Sequence, residues 1–520
     1  MASKILVLTL TLPLVWTSLS KAQELSSPDS ALEAILNSLP GLRLSLKDAV
    51  GLAIADAVPV RQAEAAYNAA AGTVRREAGA FDPELFLTLN HLDQEAPTAS
   101  FFAGAPVLST QQTTSQSGLR WKLPVGTELQ ASLNTLKLMT NSAFAFLTPE
   151  YNVIGSVSFR QPLLGGLAVS GRKQLTQSER QLDAAQAQYD QQVVGVSCDV
   201  EQMYWDLYAA ERNYAVQKLT RDRAEAFLKE TELRSGAGLV GPNQVANAKT
   251  FLAQQELRLI ESDENLDRQS DRLAAFTGTR PGGGASRFST VDEPTGDYPT
   301  EDADALVERA LKNNLDLQAA AHTIDAAKAL ADAAGWEALP SLNLVGSVGG
   351  TGLAGTSQPV IFGNDTLRLP GRGSLGQAVN QVTKRQFPNW TVGVELTIPI
   401  GLRSGAGERD RLEAQVLSAQ QIYVGQSRTL EEQVRAAHRE VSHGRDRIAA
   451  ARAGVEAAQE QVRIGLIEFH NGRMTAFELV RLGEDFAIAQ NQYSDALVRT
   501  AKAAATLRRL TSGGYPTLSQ

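Results

Sequence analysis

One cysteine, Cys198, stands in a chain of 520 residues, so an intrachain disulfide is excluded. It lies far from the N-terminus, which leaves no cysteine beside a leader to carry a lipid anchor. Methionine is scarce too, with four residues, and the five histidines (His91, His322, His438, His443 and His470) are scattered without a CxxC or HExxH arrangement. That excludes a metal centre of standard ligand spacing and counts against a soft-ligand relay for copper. Excess positive charge is missing as well: the net charge is −8, which gives no footprint for nucleic acid. Beyond residue 22 no run approaches the ~20 apolar residues of a spanning helix. Gly166 to Lys173 nearly spells a P-loop, but Arg172 occupies the lysine position, and the equivalent joint of an internal repeat, Gly401 to Gly407, lacks the motif. No nucleophile, base and metal come together, so the sequence predicts no enzyme, no catalytic residue and no cofactor.

What is present begins with an address. Lys4 precedes the apolar run Ile5 to Trp16, and Ser20-Lys21-Ala22 puts small residues at the two positions a signal peptidase reads. Residues 1–22 are expected to be a removed secretory signal.

The stretch Leu412 to Leu510 organises the remainder. Val434, Val441, Ile448, Val455 and Val462 recur every seventh residue, as do Leu479, Phe486, Tyr493 and Leu507, with Thr500 the polar exception. These are coiled-coil seams on two helices turned back at a glycine-containing tip. No proline interrupts Gly405 to Asn471, so the spacing predicts one helix of about 65 residues, on the order of 100 Å long. A second seam, Leu482, Ala489, Ala496, Ala503 and Leu510, is mostly alanine and suits close approach in a tube wall of many helices. A solitary dimeric coiled coil is the open alternative for this stretch. Ser170 to Leu233 repeats the pattern with Leu175, Leu182, Tyr189, Val196 and Met203. Its tip is Ser235 to Pro242, and its return helix carries Val245, Leu252, Leu259, Leu266 and Leu273 before stopping at Thr277-Gly278.

Between helices the period changes to two. Leu46 to Ala80 reads as an alanine-rich helix, after which Leu85, Leu87 and Leu89 alternate with Phe86, Thr88 and Asn90. Gly118 to Leu123 and Thr127 to Thr135 form a hairpin around Pro124-Val125-Gly126, and Tyr151 to Gln161 alternates again. Residues 279–300 read as a linker. Then the plan recurs: Asp304 to Gly335 is a helix, Leu342 to Val348 a strand, 349–388 a Gly-rich loop, and Trp390, Val392, Val394, Leu396 and Ile398 alternate with polar residues. Shifting Ala53 onto Ala310 lays Pro83 onto Pro340 without a gap. This is duplication of a half-protein: 23–300 with strands in 83–162 and a helical hairpin at 170–277, then 301–520 with strands in 340–399 and a hairpin at 405–511. Each half has too few two-faced strands to close a barrel alone, and open edges are forbidden in a bilayer, so closure by several chains is expected.

This arrangement resembles the TolC-type outer membrane efflux proteins over nearly the whole mature chain. The residues that carry the resemblance include the joints Gln161-Pro162-Leu163-Leu164 and Pro399-Ile400, the tip Gly238-Leu239-Val240, and Phe469-His470-Asn471-Gly472 followed by Thr475 to Val480. The resemblance implies an α+β membrane protein, a homotrimer whose strands make one transmembrane β-barrel in outer membrane lipid. Its long antiparallel coiled-coil helices would form a periplasmic α-barrel. It further implies the exit duct of a tripartite efflux or type I secretion system, docked through its tips (Gly238, Leu239, Val240, Phe469 and Gly472) to a periplasmic adaptor. The adaptor would link it to an inner membrane pump of RND, ABC or MFS type. The family's tip latch is altered: Gln244 stands where an aspartate is usual and Met474 where an arginine is. Of two acidic positions ringing the closed pore, one corresponds to Glu478 and the other to Arg481. Three copies of Glu478 would crowd carboxylates at a constriction; the alternative is an exposed i, i+3 pair of Glu478 with Arg481. The family's usual protomer has four strands, whereas the first half here has four by itself, so the extra hairpin either enlarges the barrel or sits outside it. From another class, an exported structural coiled-coil protein of the envelope explains the signal and helices but not the duplicated strands.

Overall fold

The computed structural model describes residues 28–513 apart from 283–284, 364 and 370–372; the signal segment 1–22 lies outside the described residues. The chain divides into two compact units. One takes residues up to Ala49, Val200–Pro299 and Glu440–Ala503; the other takes Val50–Asp199, Thr300–Arg439 and the chain from Ala504.

The second unit is built on a sheet of six long strands, numbered in chain order: β1 (Glu84–Pro97), β2 (Val107–Lys122), β3 (Glu128–Thr140), β4 (Leu147–Leu164), β5 (Ser341–Ser357) and β6 (Phe387–Thr397). Every neighbour is antiparallel and the spatial order follows the sequence, β1 to β6. The expected hairpin is real and belongs to the sheet as β2–β3. Its turn closes through Leu123 N–H donating to Thr127 O at 2.8 Å, and Gly126 takes φ +89°, a conformation that favours glycine.

Several strands run beyond their sequence-predicted ends. β1 and β2 pair without a break from Glu84↔Arg120 to Pro97↔Val107, although 109–117 is too rich in Ser, Thr and Gln to alternate. β5 likewise enters the Gly-rich segment expected to be loop. There Gly350 and Gly352 let the short helix Leu375–Thr383 lie against the strand: a Cβ on Gly352 would strike the Ala378 backbone. Val153, Ala354 and Ala378 form the small core beneath that helix.

The two alanine-rich helices each divide in two, where the sequence predicts one. Leu46–Asp56 gives way to Val58–Gly79 at extended Ala57, with Pro59 in the first turn. A proline there disfavours helix in the preceding residues and lacks the N–H a continuous helix needs. Ala303–Asn313 gives way to Leu315–Glu337 at extended Asn314, whose side chain accepts from Leu317 N–H at 3.2 Å. The offset that carries Pro83 onto Pro340 also carries Ala57 onto Asn314.

Five long helices are numbered separately: α1 (Lys173–Gly236), α2 (Pro242–Thr277), α3 (Arg403–Ser442), α4 (Gly444–His470) and α5 (Ala476–Thr511). The predicted single helix of Gly405 to Asn471 is therefore two, interrupted at His443. His443 itself keeps φ −80° and ψ −8°, and Gly444 beside it lets Thr500 approach: a Cβ there would collide with that side chain. Thr500, the polar exception on its seam, is buried and donates to Ala496 O at 2.8 Å. Its hydroxyl is thus satisfied within its own helix.

In the first unit the presumed linker holds a strand, Phe288–Thr290, paired in parallel with Leu42–Leu44. Two side chains of α1 fasten this pair. The fully buried Tyr204 hydroxyl accepts from Val291 N–H at 2.9 Å and Asp292 N–H at 3.0 Å, and reaches Leu44 O at 3.0 Å. Burial raises its pKa. Buried Glu211 accepts from Thr290 N–H at 3.0 Å and from the Thr290 hydroxyl. Desolvation pushes the Glu211 carboxyl above its ordinary range despite those bonds.

Tyr204→Phe leaves two buried N–H groups without an acceptor. It is expected to cost about 1–3 kcal/mol, read as a lower thermal midpoint with the secondary structure retained. Because the folded-state pKa of Glu211 is raised, its contribution is fullest below the unfolded carboxyl value and is lost as pH rises through the folded one. Glu211→Gln keeps an acceptor without the buried charge, and should abolish that decline in a stability-against-pH series.

Candidate functional site

Two features can do functional work: the pair of helical tips and the two faces of the sheet. The tips share one backbone solution. At the end of α1, Leu239 N–H donates to Arg234 O at 2.9 Å and Gly238 N–H to Ser235 O at 3.0 Å; at the end of α4, Arg473 N–H donates to Glu468 O at 2.9 Å and Gly472 N–H to Phe469 O at 3.0 Å. Gly238 and Gly472 take φ +72° and +71°. This is the Schellman ending, which needs a left-handed residue and favours glycine. Gly238 and Gly472 therefore set the shape of the tips, and both are exposed there.

The side chains expected at the tips separate into surface and support. Leu239 is 73% exposed, and Val240 is half-buried. Phe469, expected as a docking residue, is only 4% exposed. Its ring lies 5.8 Å from that of Phe227 with Arg234 stacked at 4.6 Å, so it ties α4 to α1. Phe477, within the Thr475 to Val480 stretch, is exposed instead.

Among the described residues no hydrogen bond joins the altered latch positions to each other. Gln244 lies half-buried in the first turn of α2, its N–H on Gly241 O at 3.0 Å. Met474 packs on its own hairpin, its sulfur 3.3 Å from where a Cβ on Gly465 would stand, near Leu479 and Leu482. Nor do Glu478 and Arg481 form an ion pair among the described residues, although both are exposed. Glu478 instead closes a capping box at the start of α5: its carboxylate accepts from Thr475 N–H and from the Thr475 hydroxyl, each at 2.8 Å, and its own N–H donates to that hydroxyl at 3.3 Å. The Thr475 N–H bond foremost holds the Glu478 carboxyl below its ordinary range. The signal was present in the sequence as Thr-x-x-Glu ahead of an apolar run.

The sheet separates polarity by face across all six strands. One row in register reads Leu85, Leu119, Ala131, Val157, Val348 and Trp390; the adjacent row reads Glu84, Arg120, Gln130, Ser158, Ser347 and Thr391. Successive residues point to opposite faces, so the first row lies on an apolar face and the second on a polar one. On the polar face Arg160 pairs with Glu395 at 2.9 Å and Arg120 stacks over Phe86 at 4.4 Å. The apolar face stays open at its margins, with Leu85 84% and Trp390 74% exposed. Apart from the short helix Leu375–Thr383, nothing in one chain covers it among the described residues. No helix of the described residues is long and apolar enough to cross a membrane, and no group of acidic, His or Cys side chains there could hold a metal.

Known proteins match the chain across both halves of the duplication. The profile described as outer membrane efflux protein matches residues 150–279 and 306–513. Nodulation protein T of Rhizobium leguminosarum bv. trifolii is 24% identical over 347 residues, covering 65% of this chain and 67% of the relative. Among solved structures, the CmeC outer membrane channel of Campylobacter jejuni shares 14% identity, with 91% of this chain and 87% of that one covered at a TM-score of 0.65. The outer membrane protein VceC of Vibrio cholerae shares 16%, over 90% and 96% of the two chains, at a TM-score of 0.62. At such identities the likeness speaks for the fold, while the profile, spanning both halves of the duplication, speaks for the family. A purely structural coiled coil loses its ground, because the strands that it left unexplained are part of what is matched. The chain belongs to the outer membrane efflux protein family and is an outer membrane efflux channel.

Proposed function

We propose that this channel is a homotrimer whose three six-stranded sheets close into one transmembrane barrel of eighteen strands, enlarged by the β2–β3 hairpin. The observation that carries this is the sheet itself: a two-faced meander with an apolar face and two unpaired edges, β1 and β6. A bilayer supplies no hydrogen bonds to a free edge. Because the count per chain is even, β6 of one copy meets β1 of the next antiparallel, and the ring closes without a defect. The polar face then lines a water-filled lumen, and the apolar face meets outer membrane lipid.

In the same reading the long helices form the periplasmic α-barrel. The duct takes cargo from an inner membrane pump of RND, ABC or MFS type through a periplasmic adaptor, or serves type I secretion in the same way. Leu239, Val240 and Phe477 supply the docking surface at the tips, with Gly238, Gly472 and Phe469 holding its shape. Three Glu478 carboxylates, with Arg481 one turn away, set the charge at the constriction. Gln244 and Met474 replace the family's ionic latch by polar and packing contacts.

Two experiments test the assembly and the gate. Leu87→Cys combined in turn with Trp390→Cys, Val392→Cys and Val394→Cys should give oxidised ladders that stop at three chains for at least one pairing. Ladders running past three, or none in any pairing, overturn the closure. For the gate, Glu478→Gln retains an acceptor for the capping box and removes the charge, so single-channel recordings should lose cation bias and sensitivity to divalent ions. Unchanged conductance and block would remove Glu478 from the constriction.

A further inference from the structure

The polar face of the sheet is not polar in one way throughout. Towards the helix joints it holds a hollow of about 600 Å³ lined by Asp82, Glu84, Arg120, Lys122, Glu128 and Arg160. All six are exposed. The next two rows outward, from Phe86 to Asn389 and from Thr88 to Phe387, contain no charged side chain. Charge is therefore gathered into a band at one level of this face, and the residues that alternate with it, such as Leu119, Trp121 and Leu129, are apolar.

Within the band the sign changes from strand to strand. Glu84 of β1 lies opposite Arg120 of β2, Lys122 of β2 opposite Glu128 of β3, and Glu128 opposite Arg160 of β4. Arg160 reaches across β5 to Glu395 of β6, 2.9 Å away, and is neutralised there. Arg120 and Lys122 differ from it. They stand two residues apart on one strand, about 7 Å, with Arg120 over the Phe86 ring and neither closing an ion pair among the described residues. A brace across the sheet would call for closed pairs, and in this band Arg160 alone closes one. Without Arg120 and Lys122 the hollow would hold Asp82, Glu84 and Glu128 beside a neutralised pair.

We infer that Arg120 and Lys122 are specificity-determining residues, which keep this level of the lumen open to anionic solutes. The inference rests on the proposed reading of the polar face as the lumen wall. In a closed barrel, copies of the acids alone would make a ring that concentrates cations and repels anions. A pair of cations from each copy gives a passing chloride or carboxylate a counter-charge instead. Because these groups are exposed, their reach follows the Debye length, about 10 Å in 0.1 M salt and about 3 Å in 1 M, so the effect belongs to low salt.

The test is the reversal potential of the full-length channel in a planar bilayer under a potassium chloride gradient. Arg120→Gln combined with Lys122→Gln should raise the potassium-to-chloride permeability ratio about threefold near 0.1 M salt and leave it nearly unchanged near 1 M. Lys122→Gln alone keeps the Arg120–Phe86 stack and should give a smaller shift in the same direction, so a folding defect cannot stand in for the result. Glu84→Gln combined with Glu128→Gln should move the ratio the other way. An unchanged ratio at low salt for the Arg120 and Lys122 double variant overturns the inference. Lys137→Gln separates that failure from failure of the underlying reading: Lys137 alternates onto the apolar face of β3, away from the lumen, and its loss should have no effect. A shift with Lys137→Gln and none with the double variant means that the two faces are assigned the wrong way round. No shift with either means that only the charge band is wrong.

Discussion

The rest of the structure depends on one constraint, that backbone hydrogen-bonding groups cannot be left open in hydrocarbon. A six-stranded meander satisfies its own interior strands and leaves one edge at β1 and another at β6. Water could satisfy these edges, but a sheet whose open face shows Leu85, Leu87, Trp390 and Val394 is not built for water. The proposed assembly answers both problems at once, by joining copies of the chain edge to edge with the apolar face outward. The duplication matters for the same reason. It puts helices before and after the strands of each half, so each half carries the same succession of helix, strand and helical hairpin.

Within the helices, the controlling variable is how closely backbones approach. Alanine seams and glycines set that distance, and where a glycine opens space a larger partner occupies it. Thr500 stands against Gly444, and Leu482 with Met474 against Gly465. Polar side chains fix what small residues leave loose: Tyr204 and Glu211 hold the parallel strand pair, while Arg258 and Gln255 of α2 reach Glu484 of α5. At the tips the same economy applies. Two glycine-dependent endings, a capping box and the Phe227–Phe469 contact keep the turns rigid, so that Leu239 and Phe477 can be exposed without the tips unravelling.

Legibility followed periodicity. Where apolar residues recurred at seven or alternated at two, as along Leu252 to Leu273 or Trp390 to Leu396, the element and its buried or exposed face could be read directly. Where the pattern was polar, as in 109–117, or glycine-rich, as in 349–357, the strands were invisible, because their stability comes from neighbours in the sheet. The two helix breaks at Ala57 and Asn314 did leave signals, a proline two residues on and an asparagine able to cap, but an alanine-rich background concealed them. Phe469 looked like a surface residue because its partner, Phe227, lies more than two hundred positions away.

The sequence by itself determined the class of the protein: the duplicated plan, the long heptad helices, the glycine tips and the two-faced strands follow from local spacing, which every residue carries with it. Only the tertiary structure decided that the extra hairpin belongs to the sheet, that Glu478 caps a helix, and that Arg120 and Lys122 share a band of charge with acids on neighbouring strands. Each of those depends on which distant segments share a register or a contact, and pairing across such distances is set by the collective packing of the chain, not by any one stretch of it.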